Sequence, residues 1–367
     1  MAIYYFTISL SAGLGYVLTE RQKSRQITAL YLAVSMMLLI FIASCRYAIG
    51  FDYFSYRNMY DMVNGWSFSD ILHTYSGEPL FFLVCKIIGS TGCPYQVFLL
   101  IVNAFLLTAA MHFICRYSKI PWLSVYLYIT LQFLAYNMNL IRQSIATAFF
   151  LLAWPYLKNR KILPYSMLIV IGGLFHNSLL FLFPLYFLLP LKQSKKSLLL
   201  LAALTAIIYL FFDPLFELLG PFLPTKYTNY QGGFFWQANG FCYALFPALY
   251  CLLIILFRSR IADSMLRSVC LNSAIYHFII SLFITKHFIL ERFAVYPFVF
   301  SLIGIPEIIS SYRNQKRPGS KPVLTYHRVL FLFLFLGGAY FAFAAFCGFH
   351  HVYPYVGLWD KSMSAPN

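Results

Sequence analysis

The chain has 367 residues, 61% hydrophobic and only 10% charged, with a mean hydropathy of +0.72. Soluble domains carry roughly 25% charged residues, so this composition excludes a water-exposed globular surface and points to an integral membrane protein. The formal net charge of +16 first suggests nucleic acid, a partner that its distribution along the chain then removes. The eight cysteines form no Cys-x-x-Cys pair and no Cys/His metal spacing, which leaves them as small apolar residues.

Apolar runs recur near 2–19, 27–45, 96–115, 120–137, 141–157, 162–176, 178–191, 197–212, 239–257, 268–286, 292–311 and 327–347. They suit spanning helices of roughly 20 residues and lack the alternation of barrel strands. Lipid offers the backbone no hydrogen-bond partner, so the spans must be helical. The expected fold is an all-α polytopic membrane protein with about twelve transmembrane helices, one integral membrane domain over 1–367. Residues 2–19 read as the first span and not as a cleaved leader, because no basic region precedes them. Segment 79–92 is short, headed by Pro79 and closed by Gly89, Gly92 and Pro94. It reads as a re-entrant or interfacial half-helix.

Lysine and arginine favour the cytoplasmic side. The basic clusters at 21/23/25, 116/119, 158/160/161, 192/195/196, 258/260/267 and 313/316/317/321/328 all fall on one side if 79–92 does not cross. Eight basic and eight acidic residues then remain opposite. Orientation therefore accounts for the whole excess charge, and no nucleic-acid role is needed. Two extracytoplasmic inserts result, 46–95 and 213–238. The second, with Lys226-Tyr-Thr-Asn-Tyr-Gln-Gly-Gly-Phe-Phe-Trp236, suits an interfacial aromatic belt or a lid over sugar rings.

Under this topology polar groups gather at one membrane face. Arg46 ends the second span. Asn139, Arg142 and Gln143 lie at the turn before 141–157, and His176 and Asn177 at the turn after 162–176. Lys286, His287, Glu291 and Arg292 form a further turn, and His350, His351, Tyr353 and Tyr355 the tail. The mid-span regions are nearly bare by contrast. Ionisable groups near lipid are costly and so point to function. Each residue alone also has a plainer role. Arg142 could snorkel to headgroups, and Asp52 could cap a helix beginning at Tyr53. Glu78 before Pro79 could simply start a helix. His176 could bond a turn carbonyl, and Glu291–Arg292 could be a local ion pair.

Together the set suits phosphate chemistry. Arginine forks bind phosphate oxygens bidentately and stay charged, so Arg46, Arg142 and Arg292 could hold a pyrophosphate leaving group. A histidine or a carboxylate could take the proton of an attacking hydroxyl. The sequence has no phosphate-binding Gly-rich loop ending in Lys-Ser/Thr and no Asp-x-Asp. A site facing away from the cytoplasm would therefore need a lipid-linked donor. No metal and no cofactor is expected, since arginines can carry the charge.

The ordered set Arg46-Tyr-x-x-Gly-x-Asp52-Tyr53-x-x-Tyr56, Glu78-Pro79-Leu-Phe, Asn139-x-x-Arg142-Gln143-x-x-Ala146 and His176-Asn177-Ser178 resembles the EpsG family. Arg292-Phe-x-x-Tyr296 and Tyr353-Pro-Tyr355 are similar to that family as well. These are polytopic proteins of exopolysaccharide, capsule and O-antigen clusters, related in role to Wzy-type polymerases. The resemblance implies a GT-C-like membrane glycosyltransferase of the bacterial inner membrane, its active site facing the periplasm or exterior. Donor and acceptor would be undecaprenyl-pyrophosphate-linked glycans, and a chain-length co-polymerase is an implied partner. In this reading Arg142 and Arg46, supported by Arg292, hold the pyrophosphate. His176 is the preferred base, with Asp52 and Glu78 as rivals. Tyr53, Tyr56 and Asn139 position sugars, and Gln143, Asn177, Tyr296, Tyr353 and Tyr355 complete the binding set. A lipid-linked oligosaccharide flippase and a membrane sugar acyltransferase are the competing readings.

Overall fold

The structure is a computed structural model that describes residues 1–20, 24–75, 77–219, 240–313 and 325–360. Every regular element among these residues is helical, and the one β feature among them is an isolated bridge between Arg46 and Gly357. The chain divides into two compact units, residues 1–183 with 302–367, and residues 184–301.

In the first unit α1 (Ala2–Gly15) continues as a π turn over Tyr16–Glu20, and α2 spans Arg25–Ser44. The insert after α2 is three short helices: α3 (Tyr53–Val63), α4 (Phe68–Thr74) and α5 (Pro79–Gly89). There follow α6 (Tyr95–Tyr117), α7 (Pro121–Thr130), α8 (Phe133–Asn139), α9 (Ile141–Lys158), α10 (Ile162–Phe175) and α11 (Ser178–Phe181). α6 packs between α2 and α9, and α9 packs on α10. α3 buries Tyr53, Tyr56, Tyr60 and Val63, a stripe at helical spacing. These rings join Phe81, Phe82, Phe98, Ile141 and Ile145 in one core, which seats α3 and α5 on α6 and α9. At 11 residues, α5 rises about 16 Å, half of what a hydrocarbon core of ~30 Å demands.

The second unit holds α12 (Leu185–Leu188), α13 (Lys195–Leu210), α14 (Phe212–Leu219), α15 (Cys242–Phe257), α16 (Ser264–Ile284) and α17 (Glu291–Phe298). α18 (Ser301–Ser310) and α19 (Tyr326–Phe346) return the chain to the first unit.

Among the described residues six helical stretches are long and apolar enough to cross a membrane: Ala2–Glu20, Arg25–Ser44, Tyr95–Tyr117, Tyr243–Arg260, Ser264–Ile284 and Tyr326–Phe346. They become eight if 195–210 with 212–218, and 288–298 with 301–310, each count as one span. The expected run 120–137 is interrupted at Leu131 and Gln132, where Gln132 takes a left-handed φ of 72°. The expected run 178–191 contains two single-turn helices, α11 and α12. In the second unit the Asn272 amide donates to the carbonyls of Leu188, Leu189 and Leu191 at 3.2, 2.8 and 2.7 Å. It thereby supplies partners where helix geometry stops supplying them. The spans are thus less bare than expected. Asn272 and His277 are buried within α16, and the His277 ring stacks on Phe298 at 4.1 Å with Nδ1 2.9 Å from the Ala294 carbonyl. Of the aromatic insert 213–238, the part beyond 219 lies outside the described residues.

Candidate active site

Glu78 is the hub of the first unit's polar cluster. It occupies the N-cap position of α5 with Pro79 as the first helical residue, yet its side chain makes no capping bond. The carboxylate faces sideways. Oε2 accepts from Arg142 Nη1 at 2.8 Å, and Oε1 accepts the Asn177 backbone N–H at 3.1 Å. His176 Nδ1 stands 3.3 Å from Oε1.

Two chain breaks bring His176 and Arg142 to Glu78. α10 ends at Phe175, and extended backbone at His176 (φ −155°, ψ 114°) releases the next N–H toward Glu78. α11 can fold back there because Gly172 has no side chain. A Cβ on Gly172 would come within 2.6 Å of Leu179 and 2.8 Å of Phe149. Arg142 is the second residue of α9, after a break at Leu140 (φ −99°, ψ 62°). Side chains on a helix lean toward its N-terminus, which carries the guanidinium out over α5.

The guanidinium carbon of Arg142 lies 5.8 Å from the ring centres of both Tyr56 and Phe81, a cation–π arrangement that burial strengthens. Asp52, at the start of α3, adds a second negative charge near Arg142. Arg142 Nε is buried with no hydrogen-bond partner among the described residues. The side chains of Glu78 and His176 are only 11% and 10% exposed, that of Arg142 26%. Burial alone would push the Glu78 carboxyl up. The His176 imidazole 3.3 Å away, the Arg142 charge and the Asn177 N–H outweigh it and hold the group well below the usual carboxylate range. Glu78 is therefore an ionised anchor. It holds one edge of Arg142 by Nη1 and faces His176 Nδ1 across a 3.3 Å contact that lacks hydrogen-bond geometry.

A second assembly lies beside this one. The Arg46–Asp52 loop is stitched to the tail: Tyr47 N–H donates to Val356, Gly50 to His351, Phe51 to His350, and Leu358 back to Cys45, at 2.8–3.2 Å. Asn139 accepts the Asp52 N–H at 3.0 Å, and its amide nitrogen stands 3.0 Å from His350 Nδ1. The Tyr353 hydroxyl donates to Gln132 at 2.7 Å and the Tyr355 hydroxyl to the Ile42 carbonyl at 3.0 Å. Arg46 itself is fully buried (0% exposed); its Nη1 donates to the Ala43 carbonyl, and its guanidinium carbon lies 5.8 Å from the Tyr53 ring centre. Gln96 holds the Arg46 carbonyl at 2.8 Å.

Glu78, Arg142, His176, Asn177 and Tyr56 thus form one cluster, with Asp52 at its edge. Arg46, Tyr53, Asn139, Tyr353 and Tyr355 belong to the clamp, and Gln143 is buried one residue beyond Arg142. Arg292 and Tyr296 lie in the second unit. Asp52 stands at the start of α3 without capping it, so its side chain serves Arg142's field instead. Gln96 and Gln132 escaped the sequence expectations, and Phe81 entered them only as the last residue of Glu78-Pro79-Leu-Phe, without a role. Phe81 is three residues after Glu78, a spacing that puts it on the same side of α5, and that was the available signal. Nothing in the sequence marks Gln96 or Gln132. Among the described residues no group of three His, Cys, Asp or Glu is placed to hold a metal ion.

No curated protein and no solved structure matches the chain. The family model of the EpsG family matches residues 29–356, most of the chain, and the protein belongs to that family of Wzy-type polysaccharide polymerases.

Proposed function

We propose that this protein polymerises undecaprenyl-pyrophosphate-linked oligosaccharide repeat units into O-antigen, capsular or exopolysaccharide on the periplasmic or outer face of the bacterial inner membrane. The observation that carries the reading is the Glu78–Arg142–His176 cluster. It places a fixed guanidinium and an oriented imidazole within reach of one carboxylate. Membership of the EpsG family supports polymer formation, and the multi-pass helical fold suits lipid-linked substrates.

In this mechanism Arg142 binds the donor pyrophosphate through the donors that Glu78 does not occupy. The acceptor sugar hydroxyl attacks the donor's anomeric carbon as the bond to pyrophosphate oxygen breaks. The hydroxyl proton passes to His176 Nε2, and the leaving group's charge stays on Arg142. Glu78 is too acidic to be an efficient base near neutrality, so it is assigned to orient His176. Asp52 remains the alternative base. Tyr53, Tyr56, Asn139, Gln143, Asn177, Tyr353 and Tyr355 shape the sugar path, directly or through the clamp, and Arg46 supports that clamp. A GT-C-like bundle of about twelve membrane-embedded segments, with the shorter helices counted, and a chain-length co-polymerase partner complete the proposal.

The test is a glycan gel from a strain lacking the gene, complemented with wild type, Arg142→Ala or His176→Ala at matched membrane levels. Collapse of the ladder to single capped units, restored by wild type alone, is the expected result. Normal chain lengths in both variants would sink the site assignment. Loss of all surface glycan, with lipid-linked units retained inside, would mark a flippase, and acylated single sugars would mark an acyltransferase.

A further inference from the structure

A cavity of about 630 Å³ opens at the other end of the first unit, where α2 begins, α6 ends and α7 begins. α2 runs from Arg25 to Ser44, two residues short of Arg46, and its 20 residues span about 30 Å. The cavity and the Arg46 loop therefore sit at opposite ends of one membrane-crossing helix.

Arg25, His112, Arg116, Lys119 and Arg313 line this cavity, against one acid, Glu20. That acid is fully engaged. It accepts from Trp122 Nε1 at 2.9 Å and from the Tyr326 hydroxyl at 2.8 Å, and Arg313 pairs with it directly. Arg25, Arg116 and Lys119 have no ion pair and no side-chain hydrogen bond among the described residues. The charge rule for membrane orientation accounts for basic residues at this face. It does not call for them to ring a hollow whose one carboxylate among the described residues is already neutralised. Guanidinium and ammonium groups converging without counter-charge fit a phosphate, and the volume lies in the range of small-ligand sites. The mouth sits where a spanning helix ends, at headgroup depth.

We propose that this cavity binds the phosphate of an anionic phospholipid headgroup through Arg25, Arg116 and Lys119. The binding is independent of the catalytic assignment, since it uses the opposite end of the bundle.

The full-length protein in detergent is titrated with phosphatidylglycerol, with phosphatidylcholine of the same chains, and with inorganic phosphate, and bound species are counted by native mass spectrometry. Selective retention of one phosphatidylglycerol is expected. Arg116→Gln with Lys119→Gln should weaken it roughly thirtyfold, while Lys195→Gln with Lys196→Gln, equal in charge change but outside the cavity, should leave it intact. Arg25→Gln, an exposed and unpaired position, replaces the double variant if the latter does not remain monodisperse, and it should weaken retention by about fivefold. Equal binding of phosphatidylcholine, unchanged binding in the cavity variants, or an equal loss in the lysine control overturns the proposal. So does displacement of the lipid by millimolar inorganic phosphate, which would reassign the site to a soluble anion.

Discussion

Two carboxylates in this molecule each bridge a histidine and a basic side chain. In the first unit Glu78 joins His176 at 3.3 Å and Arg142 at 2.8 Å. In the second, Asp213 joins His287 at 2.7 Å and Lys286 at 3.2 Å. The bonding patterns are alike and the surroundings are not. The Glu78 side chain is 11% exposed, the Asp213 side chain 51%. Water shares the field of Asp213, so that triad contributes little to stability. Glu78 is nearly cut off from water, so removing either Glu78 or Arg142 leaves its partner's charge uncompensated in a buried site. The same three kinds of group, a carboxylate, a histidine and a basic side chain, make a surface ion pair in one place and a buried cluster in the other. Burial, not composition, separates them.

The contrast is broken first at Glu78. Glu78→Ala should destabilise the protein by about 3–5 kcal/mol and abolish polymer, read as thermal unfolding in detergent together with the glycan ladder. Arg142→Lys keeps the charge but not the fork, and should lower polymer formation by roughly 100-fold, measured as ladder intensity at equal membrane abundance. Gly172→Ala pushes a methyl group toward Leu179 and Phe149, four residues before His176. It should cost about 1–3 kcal/mol and shorten chains by shifting the imidazole. Asp213→Asn should cost less than about 1 kcal/mol and leave the ladder unchanged. A loss there as large as at Glu78 would mean that burial is not what distinguishes the two triads.

Acid sharpens the comparison. The folded-state Glu78 carboxyl titrates below its ordinary value of 4.5, so its stabilisation is complete above that pH and is lost as the pH falls beneath it. The unfolding-temperature gap between wild type and Glu78→Gln should stay level from pH 7 to about 5 and narrow below 4.5. A gap that widened on acidification would contradict an ionised Glu78. Asp213 is also lowered from its ordinary 3.8, first through the His287 hydrogen bond against a smaller opposing effect of burial. Its variant should show the same trend below 3.8 at a fraction of the size, because solvent screens it.

The membrane class, the helical fold and the polar residues of the cluster were legible in the sequence. Hydropathy marks the class, and Glu78-Pro79, Arg142 and His176 interrupt apolar runs where the helices do break. What hydropathy did not reveal is where an apolar run is not one helix. Leu131-Gln132 contains neither proline nor glycine, yet the helix stops there, because Tyr353, more than 200 positions on, supplies a hydroxyl to Gln132. Local propensity is silent about such a partner. For the same reason the sequence does not show that Arg46, expected as a phosphate ligand, is fully buried, its guanidinium donating to Ala43 and its backbone bridging to Gly357. A charged residue's type is written in the sequence, and its depth is not.

The clamp has a consequence for biosynthesis. The N–H groups of Tyr47, Gly50 and Phe51 find their acceptors on residues 350–356. The loop that delivers Asp52 to Arg142 therefore cannot close while the ribosome is still making the intervening helices. Early spans can insert and pack, but the loop beside the Glu78 cluster is finished only by a segment about 300 residues further along the chain. A chain stopped after Phe346 would leave those early donors unmatched, which makes synthesis past residue 356 a condition for a closed loop.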